Sequence, residues 1–222
     1  DFMIEESLVS YVHEKTKLPV DNLKKLFNSN EDQPFEKTEE KEQLISVLSN
    51  IKILDPACGS GAFPMGALQK LVHVLGKIDN KNTLWYQRQK EIAIEDTKAA
   101  FDIGDDEERK QRIKIIEEAC EKGMNDPDYA RKLFLIENCM FGVDIQPIAM
   151  QIAKLRFFIS LLVEQKLVPE KENFGIIALP NLETKFMAAN TLIHLPGTNE
   201  QQLSFKDLEV EIKEKELNQV RH

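Results

Sequence analysis

Apolar residues fall one helical turn apart at Ile4, Leu8 and Val12, and Leu18-Pro19 closes that segment, which predicts a helix over residues 1–16. A shorter helix follows in VDNLKKLF, and the polar, proline-interrupted stretch 28–40 reads as an exposed loop. Helical spacing returns in KEQLISVLSN. It gives way to Ile51-Lys52-Ile53-Leu54, a short branched run of the kind that forms a buried parallel strand. The next helix tolerates Pro64 in its first turn and packs through Ala67, Leu68, Leu71, Val72 and Leu75.

From 77 to 137 the pattern changes. Charge clusters alternate with sparse apolar positions in DIGDDEERKQRIKIIEEACEKG, and DPDYARKLFLIEN reads as a helix behind an Asp N-cap. This segment is read as a helical insertion serving as solvated scaffold. A second strand is predicted in CMFGVDI, 139–145. Behind it Ile148, Ile152, Leu155, Ile159 and Leu162 recur at helical spacing, the stripe by which a helix faces its core. KFMAANTL, 185–192, reads as a third strand. The tail, 203–222, is either strand then helix or a frayed end, and there is no internal repeat. The layout is that of an α/β, doubly wound fold. It divides into N-terminal helices (1–50), an α/β core (51–76 and 138–222) and the insertion (77–137).

Composition narrows the function. A formal charge of −9 is opposite to what a self-sufficient nucleic-acid binder carries, since phosphate neutralisation supplies most of its affinity. Cys58, Cys120 and Cys139 lack Cys-x-x-Cys spacing, which argues for reduced thiols in the cytoplasm over disulfides or zinc. No apolar run is long enough to cross a membrane, and DFMIEESLVS lacks the layout of a signal peptide. Without an initiator Met, DFMI reads like the middle of a helix, so the chain is expected to be a piece of a longer protein.

The chemistry concentrates in ILDPACGSGAF, residues 53–63. In an open α/β sheet, ligands sit beyond the carboxyl ends of the strands, where this turn lies. Gly61 and Gly66 have P-loop spacing, but Ala67 and Leu68 stand where Lys and Ser or Thr are required. A dinucleotide fingerprint would need glycine at Pro64, and the acid it expects further on would be Asp79, away from any strand end. A sulfonium ligand fits better, because Asp55 ends one strand and Asp144 the next, with no compensating cation. A plainer reading remains open, in which Asp55 only caps the following helix.

LDPACGSGAF, with FGVDIQPIAMQIAKLRFFISL and LPNLETKFMAANTL, closely resembles the adenine-N6 DNA methyltransferases of restriction-modification systems, in particular the large type IIG-like enzymes that fuse endonuclease, methyltransferase and target recognition. The match is loose over 1–18 and good over 44–75 and 137–195. The resemblance implies a Rossmann-like core that binds S-adenosylmethionine. Asp55, Ala57, Cys58, Gly59 and Gly61 would line its methionine part, with Phe63 nearby. Asp144 would accept the ribose hydroxyls, Ile145 would pack on the adenine, and Asn190 would bond the adenine edge. The family's Asn-Pro-Pro-aromatic motif, which presents a flipped-out adenine, is not in this sequence. The expectation is a cofactor-binding part with no catalytic residue of its own, inactive alone, whose parent meets double-stranded DNA through other parts. Two rivals stay open: a nicotinamide-dependent oxidoreductase, and a non-catalytic scaffold within a defence complex.

The remaining candidates are weaker. His13, His73, His194 and His222 have no ligand spacing, so no metal is expected, and Ser60 lacks a nucleophile-elbow context. Cys58 sits near a helix start, where a lowered thiol pKa is conceivable, although a small turn residue is the simpler role. Trp85, Tyr86, Phe157 and Phe158 read as core, and Lys154 with Arg156 are too few for a DNA track.

Overall fold

The computed structural model describes residues 2–28, 30–100, 127–165, 169–170, 172–176 and 180–193. Cys120, His194, His222 and the tail from 203 lie outside these, as does the middle of the expected insertion. Helices α1 (Phe2–Thr16), α2 (Val20–Phe27) and α3 (Thr38–Ser49) precede strand β1 (Ile53–Asp55). Then come α4 (Ala62–Ile78), α5 (Thr83–Ala100), α6 (Pro127–Cys139), β2 (Met140–Asp144), α7 (Pro147–Leu162), a single 3-10 turn (Glu172–Gly175) and β3 (Phe186–Ala188).

The predicted N-terminal helices are present, with Ile4, Leu8 and Val12 all buried. The loop before α3 is shorter than predicted, because α3 begins at Thr38, and Phe35 within it is buried at 2 % exposure. α4 collects α1, α2 and α3 around it and buries the five residues the sequence assigned to its core face. Lys77 closes the end of α2, donating to the carbonyls of Leu26 (3.0 Å) and Asn28 (2.7 Å), groups a helix C-terminus leaves unpaired. Trp85 is buried as expected, edge-on to Phe134 with centroids 5.3 Å apart.

The three strands form a small parallel sheet in the order β1-β2-β3. Parallel neighbours in register share a face, so Ile53, Met140, Gly142 and Phe186 look one way and Leu54, Phe141, Val143 and Met187 the other. The first set lies under α4 and α7, and Met140 and Phe186 are fully buried. The second set is left partly exposed, with Leu54 at 44 %. The expectation of a buried run at 51–54 is corrected here: the strand starts two residues later, and only alternate residues reach the core. β3 is also shorter than predicted. Asn190 leaves the sheet in a turn where its Oδ1 accepts from the Leu192 N–H (3.0 Å).

α7 departs most from expectation. Met150, Ala153, Phe157 and Leu161 face the sheet, and the Phe157 ring lies on Phe186 with centroids 4.6 Å apart. At about 100° per residue the stripe Ile148, Ile152, Leu155, Ile159 and Leu162 is on the opposite side, and all five side chains are exposed. Both faces are apolar, so periodicity alone could not say which one meets the sheet. The inner set carries Phe157, the bulkier filler, and Ala153, which admits close approach.

Candidate functional site

Strand geometry gathers the carboxylates. Asp55 is in register with Gly142, and Asp144 lies two residues further along β2 on the same face, about 8 Å away by strand spacing and rise. Ala188, paired with Asp144, ends β3 at the same edge. The sequence-predicted acids therefore stand together at the carboxyl end of the sheet.

Between β1 and α4 the chain runs through the glycine turn, shaped by its own hydrogen bonds and by its neighbours. Asp55 Oδ1 accepts from the Ala57 N–H (3.1 Å), and the Gly61 N–H donates to the Cys58 carbonyl (2.9 Å). Gly59 and Gly61 take the left-handed conformation (φ +53° and +77°) that side chains disfavour. Their surroundings differ. A side chain on Gly61 would meet Ala153 Cβ of α7 at 3.0 Å, whereas a side chain on Gly59 would meet nothing within 4 Å. The turn thus has a packed rear and an open front.

Asp144 organises that front. Its Oδ2 accepts from the Gly59 N–H (2.9 Å) and its Oδ1 from the Gln146 N–H (2.9 Å), so one carboxylate ties together the turns that follow β1 and β2. The Cys58 N–H donates to the Val143 carbonyl (2.9 Å). Gly142 leaves room for this approach, since a methyl group there would come within 2.7 Å of both Cys58 Sγ and the Phe186 ring. Phe63 is half-buried against the core, while Ile145 is 65 % exposed directly beyond Asp144. Asn190 is exposed at the same end of the sheet, its side-chain oxygen held in its own local turn.

α4 has Gly61 at its N-cap, with no side-chain cap and no acid in its first turn. Asp55 spends its bond on Ala57, so the helix-capping reading of Asp55 is set aside. The uncapped N–H groups carry partial positive charge that suits an anionic end of a ligand. The two carboxylates suit a cation and hydroxyl donors. A zwitterion with a polyol attached meets both demands, whereas a phosphate chain would lie against two like charges.

Burial, then the charges of Asp55 and Asp144, push the Cys58 thiol up to about 11. This corrects the idea of an activated cysteine, because the nearby carboxylates outweigh the helix start. With about one thiol in a thousand ionised at pH 8, alkylation of Cys58 by iodoacetamide should run at least about 50-fold slower than that of free cysteine. Peptide mapping over a time course reads the rate, and labelling as fast as free cysteine would refute the environment described.

Sequence reasoning missed the groups that hold the turn from a distance. Arg156 Nη1 donates to the Ser60 carbonyl (3.2 Å) and Oγ (3.3 Å), and Thr191 Oγ1 donates to the Pro56 carbonyl (3.2 Å). Lys154 is buried and paired with Glu183, which withdraws it from the surface of α7. His13 Nδ1 lies 2.7 Å from the Leu18 carbonyl, a packing role. Among the described residues no cluster of acids, His and Cys could hold a metal, and no helix is long and apolar enough to cross a membrane.

A family model described as the MmeI DNA-methyltransferase domain matches residues 30–193. A protein of Methanocaldococcus jannaschii described as a type II restriction enzyme and methyltransferase is 30 % identical over 161 residues, 72 % of this chain. The match covers 10 % of that relative, so the chain spans about a tenth of its length. No solved structure matches the chain.

Proposed function

The chain belongs to the MmeI DNA-methyltransferase domain family, and from that premise we propose that it is the S-adenosylmethionine-binding part of an adenine-N6-specific enzyme of a restriction-modification system. The observation that carries the reading is the Asp144 carboxylate, which clasps the Gly59 N–H across the ends of adjacent strands. When bound, S-adenosylmethionine supplies an electrophilic methyl group on a sulfonium.

Each residue then has a task. Asp55, beside the open front of the turn, offers its second oxygen to the ammonium of the methionine part, and its charge favours the nearby sulfonium. Ala57, Cys58, Gly59 and Gly61 form the wall along which that part lies, with Phe63 behind them, and the uncapped start of α4 receives the carboxylate. Asp144 accepts the ribose hydroxyls while keeping its hold on Gly59. The exposed Ile145 side chain covers one face of the adenine, and Asn190 turns its amide to the adenine edge. In this reading the parallel sheet and its crossover helices belong to a Rossmann-like core, in which ligands sit beyond the carboxyl ends of the strands.

Transfer to adenine needs groups that present the base, and the Asn-Pro-Pro-aromatic motif is not in these 222 residues. The proposed role of the chain alone is therefore to bind the cofactor without transferring the methyl group. Double-stranded DNA would be met by other parts of the parent.

Isothermal calorimetry with S-adenosylmethionine and with NAD in parallel tests the reading. Saturable binding of the first, lost on combining Asp55→Ala with Asp144→Ala, is expected. Binding of NAD with none of S-adenosylmethionine would sink it in favour of a nicotinamide-dependent enzyme.

A further inference from the structure

We propose that Arg156 and Thr191 are positioning residues for the cofactor turn: two side-chain fasteners, from α7 and from the segment after β3, that hold Ser60 and Pro56 in place. The inference rests on the functional reading above and extends it to residues that reading does not use.

The turn from Pro56 to Ser60 is held at four points. At its middle, β2 holds the Cys58 and Gly59 N–H groups through the Val143 carbonyl and the Asp144 carboxylate. At its two ends the partners are side chains. Thr191 donates to the Pro56 carbonyl from 135 residues away, and Arg156 reaches Ser60 across 96. Neither end carbonyl has a regular-structure partner, since Pro56 lies just past β1 and Ser60 just before α4. Without the fasteners these carbonyls would be held only through the N–H groups of their own peptide planes, Ala57 N–H on Asp55 Oδ1 and Gly61 N–H on the Cys58 carbonyl. Rocking of either plane would disturb the bonds that shape the turn.

Arg156 works from α7. Gly61 packs on Ala153, one turn before Arg156 on the same helix, while a side chain on Gly59 would meet nothing within 4 Å. A guanidinium whose one nitrogen meets both oxygens of Ser60 is thus placed to hold the end of the turn. The fastening is exposed to solvent, so it adds little to global stability. Its effect falls on the conformational freedom that the turn must give up when a ligand binds.

The test combines cofactor affinity with local amide exchange in the full chain. Arg156→Ala and Thr191→Val should each weaken S-adenosylmethionine binding by about 3- to 10-fold, the worth of one hydrogen bond. Both should also speed hydrogen exchange at Ala57–Gly61, measured without cofactor, and leave the melting temperature within about 2 °C, as a surface change does. Thr191→Ser, which keeps the hydroxyl, should restore binding and protection, and Arg156→Lys should restore part of both. Unchanged exchange and affinity in Arg156→Ala and Thr191→Val would overturn the proposal, as would a Thr191→Ser variant no better than Thr191→Val. So would a melting temperature that falls in step with affinity. If the unaltered protein binds no S-adenosylmethionine, the functional reading fails by itself, and the exchange data still decide whether the fasteners hold the turn.

Discussion

Replacing Asp144 with alanine is expected to weaken S-adenosylmethionine binding about 100- to 10,000-fold, at tenfold for each 1.4 kcal/mol. The proposed bonds to the two ribose hydroxyls go, each charge-assisted and worth about 1.5–3 kcal/mol. The Gly59 and Gln146 N–H groups also lose their acceptor, in free and bound protein alike, which lowers stability more than affinity. Asp144→Asn keeps one acceptor oxygen and should fall between the two. Calorimetric titration reads the affinities, and circular dichroism checks that the sheet is intact. An alanine variant that binds within about threefold of the parent would remove Asp144 from the site.

The second large effect lies in α7 and separates its two faces. Phe157 is fully buried against Phe186 and close behind Gly61. Phe157→Ala should therefore destabilise the fold by about 3–5 kcal/mol, the usual outcome of emptying an aromatic site in a core. Leu155→Gln, two residues away on the outer face at 56 % exposure, should change stability by no more than about 0.5 kcal/mol. Urea unfolding of the two variants beside the parent compares them directly. A loss above about 2 kcal/mol for Leu155→Gln would mean that the outer face is covered in the working protein.

That contrast shows where the sequence could be read and where it could not. The N-terminal helices, α4 and the three strand positions were legible, because each shows a single periodicity bounded by a stop such as Leu18-Pro19 or by a glycine turn. The gathering of Asp55 and Asp144 at one end of the sheet was legible too, since the strands are parallel and both acids close their runs. The orientation of α7 was not, because two apolar stripes compete and only three-dimensional packing chooses between them. Leu54 misled for a related reason: a short apolar run does not reveal that helices cover only one face of the sheet. Arg156 and Thr191 left no local signal at all. An Arg on a helix and a Thr in a loop are ordinary residues until folding brings them to Ser60 and Pro56.

The way the glycine turn is held also orders the folding of the chain. Its partners lie 85 residues away at Asp144, 96 at Arg156 and 135 at Thr191. Contacts of such sequence separation form slowly, because a long loop must close before any of them repays its entropy. The helices at the N-terminus pack on one another and can assemble first, whereas α4 also needs α6, β2 and α7 to complete its packing. The turn beside β1, although synthesised early, takes its final shape only once residues near 191 have docked. A growing chain on the ribosome therefore holds its N-terminal helices together before the turn between β1 and α4 has the partners that fix it.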